Sequence, residues 1–205
     1  MKPGRMGNIW RQEGIKGITD RVIRRFYRRT NLYEIDISGE VKVPDEPDMV
    51  METMTTKTLA QMIRDYPDEI PEDKRKRLAK RLAPVSTDKV FLVREQDGVI
   101  LGFYCSAYDD HYDDTMNYRV PARKGNVFLF DGYTFLIHRN KGAQKFATFA
   151  MLAEGKGRGC TTATTMVDEK NVFSEKAVIK SGFTKAAVIH HYYAGPLKGN
   201  IQRER

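Results

Sequence analysis

Residues 127–137, VFLFDGYTFLI, form the longest apolar run in the chain, and HRNKGAQ follows at once. Beyond it, Ala143, Phe146, Ala147, Ala150 and Met151 recur at helical spacing. Side chains alternate between the two faces of a strand, so a strand apolar at nearly every position must be covered on both faces. A strand of that kind, running through a glycine turn into a helix, belongs at the centre of a sheet with helices packed against it.

The flanking sequence supplies the rest of such a sheet. Residues 32–37 form a first strand, and a Pro- and acid-rich connector over 44–48 follows. Thr55 or Thr56 caps a helix that carries Leu59, Met62, Ile63 and Tyr66 on one face. A second helix starts after Pro71 and runs through the charged stretch 72–81, whose side chains are expected on a solvated face. Asp97-Gly98 supplies the positive φ angles of a tight hairpin between strands over 90–95 and 99–107. Gly155 stands where the helix after HRNKGAQ needs a left-handed cap, so GKGRG (155–159) closes a helix and is not a dinucleotide fingerprint. A strand over 160–167, a short helix over 174–180 and a last strand over 186–193 complete the order. The fold class is α/β, a central mixed sheet with helices on both faces.

At 205 residues, 40% apolar and 30% charged, the chain suits one compact globular domain. Its net charge of +8 is concentrated: residues 1–30 hold nine Lys/Arg against Glu13 and Asp20. There Ile15, Ile18, Val22 and Phe26 share one helical face, opposite Arg21, Arg24, Arg25 and Arg28. Residues 1–30 therefore form a basic amphipathic helical arm and 31–205 the domain. The arm suits an anionic partner or a membrane surface; alternatively it packs on the domain with its arginines solvated. No base-stacking motif accompanies it, so no specific nucleic acid is expected. The chain lacks an apolar run long enough for a membrane span, and its start lacks a signal-peptide core, so a cytoplasmic monomer or homodimer is expected. Cys105 and Cys160 are core thiols, and no metal site is expected.

The chemistry concentrates in His138 to Gln144. A helix start exposes unpaired N–H groups and a partial positive charge, which together hold a phosphate or diphosphate. Gly142 lets the backbone approach an anion, and Arg139 and Lys141 add charge. An ordinary strand-to-helix turn with one glycine fits the same stretch. The GxxxxGK[ST] pattern is absent, so this is not a Walker loop.

Arg139-Asn140-Lys141-Gly142-Ala143-Gln144 resembles the [QR]-x-x-G-x-[GA] motif of the GNAT acetyltransferase superfamily, between the fourth strand and its helix. Downstream, Asn171, Ser174 and the Gly182-Phe183 pair resemble that family's N-x-x-S and G-F. The resemblance covers residues 32–193 and implies a GNAT-like acyl-CoA N-acyltransferase fold using acetyl-CoA. It implies that the backbone of Phe135, Leu136 and Ile137 pairs with the pantetheine arm. Arg139, Asn140, Lys141, Gly142, Ala143 and Gln144 would hold the diphosphate, with Asn171 and Ser174 near the acyl end. By local logic Asn171 is a turn residue and Ser174 a helix cap. Two positions depart from the family: Gln144 replaces a small residue, and Val178 stands where many members carry a tyrosine general acid.

Loss of that acid leaves catalysis possible, since a thiolate with a pKa of about 8.5 departs unprotonated. Ser174, Tyr192 and Tyr193 are substitutes, the two tyrosines reading equally as strand aromatics. A base must neutralise the acceptor ammonium. Asp131, inside an apolar strand, is a candidate, or else a carboxylate satisfied at a strand irregularity beside Gly132. His138 is a second candidate, or a surface histidine. The acidic stretch 109–114 attracts cations or is a solvated loop. The reading that follows is an N-acetyltransferase acting on a small-molecule primary amine such as an amino sugar. The alternative is a non-catalytic binding module of the same fold, its arm engaging membrane or nucleic acid.

Overall fold

The computed structural model describes residues 26–44, 48–113, 118–194 and 197–204. The basic helix expected over residues 1–25 lies outside them. Its expected continuation does not occur: strand β1 (Tyr27–Asp36) already begins at Tyr27, so Arg28 and Thr30 belong to the sheet rather than to an arm ending at 30. Strand β2 (Met49–Thr53) was not foreseen; it is short and follows the Pro-rich connector.

Thr55 caps α1 (Thr56–Asp65) through a capping box in which its hydroxyl accepts from the Thr58 N–H, turning Leu59 and Met62 inward. After Pro71, α2 (Glu72–Arg81) carries Glu72 and Asp73 in its first turn and Lys80 and Arg81 in its last, as the helix dipole favours. Strands β3 (Lys89–Glu95) and β4 (Ile100–Ala107) join through the expected turn at Asp97-Gly98, in which Gly98 is at φ 96° and Asp97 is not at positive φ. A small hairpin, β5 (His111–Asp113) and β6 (Tyr118–Val120), occupies the stretch expected to be a polar loop.

The long apolar run forms β7 (Asn126–Thr134), ends there, and turns through a 3₁₀ segment (Leu136–His138) into α3 (Ala143–Gly157). The left-handed residue after α3 is Gly159 (φ 85°). Gly155, expected to be that cap, instead lies within the helix, where a Cβ would come within 2.7 Å of Val127 Cγ1. It lets α3 approach the sheet. Strand β8 (Thr162–Asp168), helix α4 (Val172–Lys180), strand β9 (Thr184–Ala194) and an unforeseen β10 (Leu197–Glu204) follow.

The eight-stranded sheet has the order β10-β9-β1-β8-β7-β4-β3-β2, and β7–β8 is its parallel pair. Both faces are covered. Phe91, Val93, Val127 and Leu129 pack with Phe146, Ala147, Met151 and Leu152 of α3. On the other face Val90, Leu92, Phe103 and Phe135 pack with Leu59, Met62 and Leu78 of α1 and α2.

Candidate active site

The cleft originates in the sheet. β7 and β8 pair only from Asn126↔Thr162 to Leu129↔Thr165. Beyond that, β7 stays with β4 while Met166 to Asp168 of β8 pair with β1. The strands part, and a cavity of about 240 Å³ opens between them. Phe130, Asp131, Gly132, Gln144, Thr148, Asn171, Ser174 and Val178 are among its walls.

One end of this cleft is a helix start. Gly142, at φ 87°, is the N-cap of α3, and no side chain caps the helix. The first intrahelical bond runs from the Phe146 N–H to the Gly142 carbonyl at 2.9 Å, so the amides of Ala143, Gln144 and Lys145 have no partner within the helix. No acidic residue stands in that turn. Asn140 is left-handed too (φ 66°), which folds 139–142 back on itself. In the turn before the helix, Arg139 lies 5.7 Å from the Tyr133 ring and Lys141 Nζ is 3.1 Å from Glu95 Oε1, and neither is a wall of the cavity. Gln144, one of the departures from the motif, faces the cavity together with Thr148.

Two expectations for this stretch are corrected. Phe135, Leu136 and Ile137 offer no strand edge to the cleft. The Phe135 N–H bonds the Leu101 carbonyl at 3.0 Å, its ring stacks on Tyr66 at 3.7 Å, and the Leu136 N–H donates to Glu69 at 2.9 Å. The strand edge left without β8 is instead 130–132. Nor is His138 a surface residue: it is buried against Tyr66. The Tyr66 hydroxyl donates to the Ile100 carbonyl, so His138 Nε2 must donate to that hydroxyl (2.8 Å), leaving a buried Nδ1 without a partner. Burial first, then Lys141, pushes its pKa down and keeps the ring neutral.

The wall of the cleft carries a β-bulge. Phe103 pairs Tyr133 and Cys105 pairs Phe130, so Asp131 and Gly132 together oppose Tyr104, with Asp131 at φ 45°. The extra residue shifts the pleat by one: Phe130, Tyr133 and Phe135 all face the α1/α2 side, whereas Val127 and Leu129 face α3. The Asp131 carboxylate accepts from Arg81 Nη1 through Oδ2, and its Oδ1 lies 3.9 Å from Lys74 Nζ. Its charge is thus matched within the protein. The strand irregularity at Gly132 is present, but side chains rather than backbone satisfy the carboxylate.

Across the cleft Asn171 closes a turn as expected, its N–H donating to the Asp168 carbonyl at 2.8 Å, and it also takes the capping role expected of Ser174. Asn171 is the cap of α4, its Oδ1 accepting from the Ser174 N–H at 3.2 Å, and Ser174 sits inside the first turn. Both line the cavity beside Val178, while Tyr192 and Tyr193 on β9 do not.

A second cavity of about 320 Å³ shares Phe130 and Asp131 with the first. Helix α2 contributes Arg77, Lys80 and Arg81, and β5 contributes His111, Tyr112 and Asp113. His111 is 4% exposed; its Nδ1 is 3.1 Å from Asp88 Oδ1, and its ring centre is 3.8 Å from that of Phe130. Asp88 Oδ2 in turn lies 3.8 Å from Arg81 Nε. Sequence reasoning missed this constellation by assigning the charges of 72–81 to a solvated face. The available signal was the spacing of Lys74, Leu78 and Arg81 at i, i+4 and i+7, one helical stripe around a buried leucine.

No family model matches the sequence, and no curated protein matches it either. Solved structures do match by fold. A GCN5-related N-acetyltransferase from Kribbella flavida superposes with a TM-score of 0.53 at 16% identity, over 85% of this chain and 62% of that one. A GNAT-family protein from Novosphingobium aromaticivorans gives 0.53 at 15%, over 80% and 62%. An aminoglycoside N-acetyltransferase in complex with CoA gives 0.50 at 20%, over 67% and 88%. At these identities the likeness is one of fold, and the fold is the one that HRNKGAQ and its downstream partners implied.

Proposed function

We propose that this chain, which has the GNAT fold, is an N-acetyltransferase that moves an acetyl group from acetyl-CoA to a primary amine of a small molecule by direct attack. One observation carries this reading: β7 and β8 part at the mouth of an uncapped helix start, leaving a cleft with open amides at one end and a bulged strand edge along one side. The diphosphate of acetyl-CoA suits the amides of Ala143, Gln144 and Lys145, with Gly142 permitting close approach and Arg139, Asn140 and Lys141 in the turn before the helix. The pantetheine arm adds to the edge at 130–132 in the manner of a strand, in place of Phe135 to Ile137. A bulge leaves one residue outside the ladder, and a backbone N–H there polarises the thioester carbonyl. Asn171 and Ser174 flank the acyl end.

The acceptor enters from the second cavity, which has Phe130 and Asp131 as walls in common with the first. Holding amine and thioester together supplies much of the rate, and the thiolate leaves without the tyrosine that Val178 replaces. An amino sugar is the favoured acceptor, because an aminoglycoside N-acetyltransferase shares this fold with CoA bound.

Melting with and without acetyl-CoA tests the donor site. A ligand at about 100 times its Kd stabilises by about 2.7 kcal/mol, which for this chain length is a rise of about 5–11 °C. No rise with acetyl-CoA or CoA refutes the reading. Mass spectrometry of an amino-sugar, polyamine and amino-acid panel then tests transfer. Stabilisation without any acetylated product favours the binding module.

A further inference from the structure

Catalysis in this cleft needs a group that takes a proton from the acceptor ammonium, and both groups suggested by the sequence are occupied. Asp131 is held between Arg81 and Lys74, and His138 is sealed behind Tyr66. Helix α2 brings Arg77, Lys80 and Arg81 to the second cavity, side chains that donate hydrogen bonds and offer no acceptor. His111 differs. It is a nitrogen base in the wall of that cavity, and an ionised carboxylate accepts only, so its contact with Asp88 fixes the proton on Nδ1. Nε2 is thereby the nitrogen with a lone pair to offer.

We infer that His111, oriented by Asp88, is the proton acceptor for the amine substrate in the second cavity. The inference rests on the acetyl-transfer reading and deepens it. The His111 ring lies against Phe130, whose neighbour Asp131 opens the bulge, so the base stands beside the strand edge along which the thioester is aimed. Asp88 does not act alone on the ring. Arg81 approaches Asp88 on one side and Asp131 on the other, tying the base, the bulge and α2 into one charged chain. Asp88 is a positioning residue in this scheme: it sets the tautomer and the ring angle.

The step balances as follows. The acceptor ammonium gives one proton to His111 Nε2. The neutral nitrogen attacks the thioester carbonyl carbon, forming the C–N bond, and the C–S bond breaks with its electron pair leaving on sulfur. The second proton of the attacking nitrogen passes to the CoA thiolate, and His111 returns its proton to solvent. Amide and CoA thiol are the products.

The test uses the full chain, acetyl-CoA and two small nucleophiles, with release of the CoA thiol as the readout. Methylamine enters protonated and needs a base, whereas methoxyamine is weakly basic and enters neutral. His111→Gln is expected to lower kcat/KM for methylamine by about 10²–10⁴-fold. Its loss on methoxyamine should stay under about tenfold, and the acetyl-CoA melting shift should persist. Asp88→Asn keeps an oxygen for Nδ1–H and should lower the methylamine rate by about 10–100-fold with the same preference between nucleophiles. Should His111→Gln fail to fold, Asp88→Asn decides. Equal losses on both nucleophiles, or a methylamine rate within about threefold of wild type, overturn the assignment. A wild-type chain that shows the acetyl-CoA shift but releases no thiol with methylamine overturns it too, with the donor site intact. Absence of the shift instead defeats the acetyl-transfer reading beneath it.

Discussion

Replacing Gly142 by alanine separates the two tasks of this residue, which starts α3 and exposes its first amides. The residue sits at φ 87°, a left-handed conformation that disfavours an L-side chain by about 1–2 kcal/mol. In the ligand-free chain, Gly142→Ala either holds that conformation, losing all of this in folding stability, or relaxes toward right-handed geometry and loses less. In the relaxed case CoA must restore the left-handed turn on binding, and the remainder appears as weakened affinity. The two losses therefore sum to about 1–2 kcal/mol, however they divide. As stability alone this is a fall in Tm of about 2–8 °C; as affinity alone it is about fivefold to thirtyfold. Chemical denaturation and calorimetric titration with CoA, run on both proteins, give the two terms. A Gly142→Ala protein equal to wild type in both would refute the role assigned to this turn.

The remaining predictions concern the frame around the cleft. Gly157→Ala, at the exposed end of α3 where an added Cβ meets nothing within 4 Å, should stabilise by about 0.5–1 kcal/mol in denaturant and leave CoA affinity unchanged. Gly102→Ala places a Cβ within 2.3 Å of the Tyr133 carbonyl oxygen, a backbone atom that cannot rotate away; a loss of about 1–3 kcal/mol or more is expected from the same measurement. Burial pushes the Tyr104 phenol up to about 12 from 10.0, so its proton is held more tightly in the folded chain. Its contribution to stability is complete below about pH 10 and is lost as pH rises toward about 12, so Tyr104→Phe should flatten the alkaline fall of the urea midpoint; parallel curves would contradict this.

Local signals in the sequence located most elements. Thr55 as a cap, Pro71 before α2, Asp97-Gly98 between β3 and β4 and Gly142 at the start of α3 each act over a few residues through backbone sterics and unpaired amides. Such effects are written in adjacent letters. Elements without a periodic or turn signature were passed over: β2 and β10 are short or polar, and β5–β6 lies in an acidic stretch that resembles a loop.

What the amino-acid order alone determined, then, is a central apolar strand entering a helix through a glycine turn, and with it the fold and the helix-start end of the cleft. Tertiary structure decided the rest. Strand β8 keeps its pairing with β1 out to Asp168 while β7 leaves β8 after Leu129 and stays with β4, and the cavity opens between them. Arg81 and Asp131, 50 residues apart, meet in an ion pair, and Asp88 meets His111 across 23. The physical reason is the range of the forces: φ preference and helix capping are properties of neighbours in the chain, whereas charge pairing and the edge of a cavity exist only after distant segments have packed.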